Sequence, residues 1–253
     1  MQVPATILLL DAETGQLNAI LGATHLTAAR TAAGSAIATQ YCLSIYNNII
    51  PYHLVVFGAG LQAELHLECI LHLFPSCIEK ITIVNRTESR AKELSNKIYK
   101  INNSLNISIV SLEDTTEVRE TVNTADIIVM STNSYTPLFD GNWLKPGCHI
   151  NGVGSFTPQM REVDQNLIDR CKIIIDTKEA RDVGDLCNVN NKHIVGLLGD
   201  VIADDVIWDV ADGEKRLDCT YFKSCGTAIQ DILTGDLVVK NARVLGIGTE
   251  FNI

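Results

Sequence analysis

No run of about 18 apolar residues occurs in the chain, and its first residues carry no basic cluster, so neither a membrane-spanning helix nor a secretory leader is expected. Positive charge is also scarce. The 253 residues hold 20 Lys and Arg against 30 Asp and Glu, a formal net charge of −10, with no Lys/Arg cluster longer than two residues. A nucleic-acid backbone or an anionic lipid surface needs a positive patch, so both are set aside as partners. Cysteine occurs eight times, at Cys42, Cys69, Cys77, Cys148, Cys171, Cys187, Cys219 and Cys225, but never in the CxxC pairs of a zinc site. Reduced thiols serving mostly as small core residues of a cytoplasmic protein are expected, with no metal. Internal repeats and low-complexity tracts are absent too. A hydrophobic content of 46% is enough for a full core, so a folded chain with one large α/β domain and a smaller appendage is expected.

Most informative among what is present is a buried strand that runs straight into a glycine turn and a helix. His53-Leu54-Val55-Val56-Phe57 leads into Gly58-Ala59-Gly60-Leu61-Gln62-Ala63, a GxGxxA arrangement read as the dinucleotide-binding segment. Gly58 permits the tight turn, Gly60 lets bare backbone approach a pyrophosphate, and Ala63 is small enough for helix and strand to pack closely. The N–H groups and dipole at the start of the helix, from about Leu61 to Leu73, would face the negative charge. On spacing alone the turn also fits other α/β proteins. Ile81-Thr82-Ile83-Val84 then completes a βαβ unit of about 30 residues. That unit ends in Asn85-Arg86-Thr87, without the Asp or Glu that commonly holds the ribose 2′-OH of NAD. Arg86, Thr87 and the nearby Arg90 offer donors to a 2′-phosphate, so NADP(H) is the expected cofactor and NAD(H) the second choice. The alternative is that Arg86 and Arg90 are solvated surface arginines.

Residues 6–10 and 17–21 flank a polar turn and read as a β-hairpin. So apolar a hairpin is marginal alone and should join a larger sheet built from the C-terminus, a partner subunit or residues outside the chain. A small-residue helix from Leu26 to about Tyr46 follows. Beyond the βαβ unit come a helix at 89–99, a strand at 107–110, a helix at 115–123, and strands at 126–130, 149–152 and 173–176. This alternation predicts an α/β fold with a Rossmann, doubly wound parallel sheet. The stretch 181–218 shows no readable pattern. Ser224 to Ala228 opens an amphipathic helix toward Leu233, followed by 236–245, which should return to the hairpin.

In order along the chain, the TG-turn hairpin, LTAARTAAGSAIA, VVFGAGLQAELH, ITIVNRTESRA, TADIIVMSTNSYTPLF, WLKPGCHINGVGSFTPQMREVD and FKSCGTAIQD resemble the ornithine cyclodeaminase/mu-crystallin family. The resemblance implies a homodimer, with a Rossmann domain (29–225) and a smaller, here incomplete, substrate and dimerisation sheet domain (1–28 with 226–253). It implies chemistry at the Cα–N bond of amino acids. Arg30 matches the arginine that clamps the substrate carboxylate, a task suited to a bidentate guanidinium; the alternative is a salt-bridged helix arginine. Thr132 resembles the residue near the nicotinamide ribose, and Val153 and Ser224 resemble positions near the nicotinamide ring; helix or strand capping is the alternative for the hydroxyls.

Two departures set the functional expectation. Phe156 stands where cyclodeaminases and alanine dehydrogenases of the family carry an aspartate, and phenylalanine does no acid/base work. Asp164 is nearby but reads as a helix-start or surface residue. The family's segment before the hairpin, with a second arginine and a lysine, has no counterpart here, so an incomplete substrate pocket without its proton donor is expected. This pattern resembles the mu-crystallin-like branch. The leading expectation is an NADPH-dependent reductase of a ketimine or pyrroline-2-carboxylate, an amino-acid-derived small molecule, with doubtful turnover. A catalytically inactive NADP(H)-binding protein and an ornithine cyclodeaminase are the alternatives.

Overall fold

The computed structural model describes residues 4–46, 50–187, 189, 193–203 and 218–250. Part of the unreadable stretch, 204–217, lies outside the described residues. The chain begins with an antiparallel hairpin, β1 (Thr6–Leu10) and β2 (Leu17–Gly22), and then enters the long helix α1 (Thr24–Tyr46). Strand and helix alternate through β3 (His53–Phe57), α2 (Leu61–Leu73), β4 (Lys80–Asn85), α3 (Glu88–Ile101), β5 (Asn106–Ser111), α4 (Thr115–Thr124) and β6 (Ile127–Met130). Then follow β7 (His149–Gly152), α5 (Gln165–Arg170), β8 (Cys171–Ile175), β9 (Ile194–Leu197), α6 (Leu198–Ile202), β10 (Cys219–Lys223) and α7 (Ala228–Leu245).

Eight of these strands form one parallel sheet in the order β5-β4-β3-β6-β7-β10-β8-β9. Strands covered on both faces read as unbroken apolar runs, which is why HLVVF, IIVM and CKIII are buried along their whole length. Alternate residues serve opposite layers. Leu54 and Val56 pack with Ala63, Leu67 and Ile70 of α2 and Ala91, Leu94 and Ile98 of α3. Val55 and Phe57 face Val118 and Val122 of α4 and Leu167 and Ile168 of α5. The spacing of Ala91, Leu94 and Ile98 is that of one helical stripe. Asp114 and Asp164 cap α4 and α5 by accepting from Glu117 N (3.0 Å) and Leu167 N (2.9 Å), so Asp164 has the helix-start role expected of it.

Two expectations need correction. The C-terminal region is one helix, capped by a Thr227/Gln230 box and closed by Gly246 at φ 65°, rather than two pieces. Nor does the C-terminus supply a strand to the hairpin, which stands as a two-stranded sheet among the described residues. Helix α7 covers one of its faces instead, with Gly235 lying against Ile7, Leu9 and Leu21. A helix at this place satisfies its own backbone and offers an apolar stripe, so no further strand is required to bury that face. Strand β10 was also unread, although it sits in the middle of the main sheet.

Of the eight thiols, Cys42, Cys148, Cys171 and Cys219 are buried and the other four half-buried; none is in a disulfide. Among the described residues no helix is long and apolar enough to cross a membrane, and no cluster of three ligating side chains could hold a metal.

Candidate functional site

The sheet register brings the sequence-predicted residues into one line. Val84, Phe57, Met130, Gly152, Lys223 and Ile175 are successive partners across β4, β3, β6, β7, β10 and β8. All these strands are parallel, so the residues that follow each of them emerge at a single carboxyl edge. They include Asn85, Gly58, Ser131 and Thr132, Val153, Ser224 and Asp176. The strand order reverses between β3 and β6, and a doubly wound sheet binds its ligand at such a switch point.

At that point Gly58 has φ 105°, and a Cβ there would lie 2.8 Å from the Ser131 carbonyl oxygen, so only glycine fits. A Cβ on Gly60 would meet nothing within 4 Å. Open space therefore lies directly over the turn. Gly60 caps α2 without a side-chain hydrogen bond, which leaves the first-turn N–H groups at Leu61, Gln62 and Ala63 available to an anion. Ala63 is fully buried against the sheet, and the Gln62 side-chain oxygen is buried without a partner. These features fit a pyrophosphate. At the end of β4, Asn85 donates to the Thr87 carbonyl at 2.8 Å and so folds the loop on itself. Arg86, Thr87 and Arg90 are exposed, and neither arginine forms an ion pair among the described residues. Glu88 beside them is paired with Lys92 at 2.6 Å.

Toward β8 the edge opens into a cleft of about 400 Å³ lined by Phe156, Thr177, Glu179, Val183, Cys225, Gly226 and Thr227. Phe156 is 51% exposed there. Burial pushes the Cys225 thiol up to about 11, so it is a neutral wall residue at ordinary pH. Asp176 organises the turn behind it, its Oδ2 accepting from Cys225 N (2.9 Å), Gly226 N (2.6 Å) and the Ser224 hydroxyl (3.2 Å). The Ser224 hydroxyl is thus committed within the protein. Arg30 reaches the same turn from α1. Gly226, at φ 82°, lies against its guanidinium, where a Cβ would come within 2.8 Å of Cζ. Nε of Arg30 donates to Asp231 at 2.9 Å and Nη1 to Gln230 at 3.2 Å, so the guanidinium is already held on one side.

A buried network between these loops escaped the sequence reading. Glu162, fully buried, accepts at Oε1 from both the Thr132 N–H and the Thr132 hydroxyl (2.7 Å each), and at Oε2 from Gly154 N (2.7 Å). Its own N–H donates to Asp185 Oδ1 at 2.7 Å. Asp185 Oδ2 accepts from the hydroxyls of Ser155 and Tyr221, the latter at 2.9 Å. Lys223 Nζ donates to Ser155 O (2.6 Å) and Oγ (2.7 Å) and stands 3.7 Å from Asp185. Burial, and then the charge of Asp185, push the Glu162 carboxyl up to about 7. The Tyr221 hydroxyl is raised well above its usual value by burial and the two carboxylates. The signal available in the sequence was slight: a lysine ending an otherwise apolar segment, CTYFK, and an acid directly after a glycine at Gly184-Asp185.

Comparison with known proteins gives a consistent picture. The ornithine cyclodeaminase/mu-crystallin family profile matches residues 1–244. An uncharacterised cyclodeaminase of Dictyostelium discoideum is 36% identical over 99% of this chain and 73% of that protein. The ketimine reductase mu-crystallin of Rattus norvegicus is 32% identical, covering 92% of this chain and 68% of its own length. Among solved structures, Thermococcus litoralis Δ1-pyrroline-2-carboxylate reductase in complex with NADH and L-proline superposes with a TM-score of 0.84 at 28% identity, over 98% of this chain and 74% of that one.

Proposed function

The chain belongs to the ornithine cyclodeaminase/mu-crystallin family, and on that footing we propose that it is a reductase of imines adjacent to a carboxylate, using a nicotinamide dinucleotide with NADP(H) preferred. The observation that carries this reading is the edge itself. A glycine turn fit for a pyrophosphate stands in line with the cleft that holds Phe156. When bound, the dinucleotide would supply a hydride to the imine carbon. The protein's part is to hold the substrate carboxylate through Arg30, to shield the reacting carbon from water with Phe156 and Val183, and to seat the dinucleotide with Gly58 to Ala63, Thr132, Val153 and Ser224. An iminium nitrogen brings its own proton, so an apolar residue at position 156 is compatible with imine reduction. Deamination of ornithine asks for a carboxylate at that place. The exposed Arg86 and Arg90, with Thr87, would receive the 2′-phosphate.

We further assign 29–225 to the dinucleotide domain and the hairpin with α7 to a smaller substrate and pairing domain. Leu8, Leu10 and Ile20 on the outer hairpin face, and Ile232, Leu233 and Leu237 on α7, are exposed, which supports a homodimer built on these elements. Eight thiols outside any disulfide support a cytoplasmic location. A second reading, dinucleotide binding without turnover, is favoured by the pairing of Arg30 with Asp231. NADPH oxidation with Δ1-pyrroline-2-carboxylate separates the two. Reduction supports the proposal; tight NADPH binding with no oxidation supports the second reading; ammonia release from ornithine overturns both.

A further inference from the structure

Glu162 is the point where two strand-end loops are tied together. One oxygen receives the backbone N–H and the hydroxyl of Thr132, after β6, and the other receives the N–H of Gly154, after β7. The close approach is built in, because a Cβ on Gly154 would overlap the Thr132 carbonyl. Behind it, Asp185 accepts from the Glu162 backbone N–H and is itself held by the Tyr221 hydroxyl and Lys223, and all are buried. A threonine hydroxyl has one proton and two lone pairs. With the proton directed to a carboxylate, the Thr132 oxygen faces any incoming ligand as an acceptor only.

We propose that Glu162 is a positioning residue for the nicotinamide end of the cofactor: by binding the Thr132 hydroxyl proton it sets that oxygen to accept from a ligand donor, a ribose hydroxyl or carboxamide N–H, at the gap between the β6 and β7 loops. The proposal rests on the dinucleotide reading above, and it adds that affinity for the nicotinamide end depends on a residue that never touches the ligand. Asp185, Lys223 and Tyr221 are the charged and titratable groups that face Glu162. Protonation of Glu162 near pH 7 weakens its hold on Thr132 and Gly154 together.

The test is a pair of titrations, NADPH and 2′-phosphoadenosine 5′-diphosphate, which has the adenine half but neither the nicotinamide nor the ribose that carries it. Thr132→Val and Glu162→Gln are expected to weaken NADPH about tenfold, as for one lost hydrogen bond, while the fragment binds unchanged and Thr132→Ser restores NADPH affinity. In the wild type the ratio of the two affinities should fall as pH drops through about 7, and in Glu162→Gln it should stay flat. Variants that weaken both ligands equally, or neither, overturn the proposal while leaving the dinucleotide reading in place. A wild-type chain that binds neither ligand overturns both.

Discussion

Arg30 has one face held and one face open. Asp231 and Gln230 take Nε and Nη1, the guanidinium lies against Gly226, and the side chain as a whole is 11% exposed. The partner carboxylate fixes the plane of the fork, which prepares the remaining N–H groups for a second carboxylate. Arg30→Ala should therefore raise the Michaelis constant for an imino acid by roughly tenfold or more, the loss of a charge-assisted contact, and leave cofactor affinity unchanged. Its thermal stability should fall by about 1 kcal/mol, because the ion pair is only partly buried. If substrate kinetics are unchanged and only stability drops, Arg30 is structural. Arg86 and Arg90 differ in having no partner among the described residues. Replacing both with Ala should weaken NADP(H) by about tenfold or more and NAD(H) little, as read by parallel fluorescence titrations; equal losses would place both arginines outside the phosphate site.

At the scale of elements, the hairpin depends on α7. Gly235 is the buried residue of α7, and a Cβ there would stand 3.3 Å from Leu21, 3.4 Å from Ile7 and 3.5 Å from Leu9. Gly235→Ala should be close to neutral, since better helix propensity, about 1 kcal/mol, offsets a small shift of those side chains. Gly235→Leu should lift the hairpin and speed proteolysis at its 11–16 turn without changing NADPH affinity. Unchanged proteolysis would mean that the hairpin does not rely on this contact. The strands up to β8 and the helices α1 to α4 were legible because they carry their own signals: β-branched runs in ITIV and IIVM, a stripe of Ala91, Leu94 and Ile98, and glycines at a turn. β10 was not, since five residues with a lysine at one end, CTYFK, lack that signal and acquire their place only by pairing with β7 and β8. The same holds for the site. The glycine turn and Arg86 are local facts of sequence. Glu162, Asp185 and Lys223 lie in three separate segments, and periodicity says nothing about charges that meet only after folding.

Over the whole molecule, buried neutral histidines set the response to acid. Burial lowers His53, His66 and His149 to about 4, and their ring nitrogens are engaged with Thr82 and Thr124, with Ser35 and Gln62 O, and with Thr220 and Asn151. Below the ordinary value of 6.5 the unfolded chain takes up protons that these groups decline, so stability falls from about pH 6.5 toward 4, by on the order of 3 kcal/mol per histidine. Glu162 acts oppositely. With its folded value raised, it favours the folded state at low pH and loses that contribution as pH rises from its ordinary 4.5 to about 7. Three groups outweigh one, so the melting temperature should climb from pH 4 to 6.5 and then level. A flat profile across that range would show that the histidines are protonated in the folded state.

The place of β10 also bears on how the protein is made. Synthesis proceeds from the N-terminus, yet β10, the last strand among the described residues, lies between β7 and β8, which are made earlier. Until Lys223 has left the ribosome, the strands from β5 to β7 and the pair β8-β9 are two separate sheets, each with an unsatisfied edge where β10 will insert. The nascent chain must keep those edges apart, and from other chains, until β10 arrives to join them.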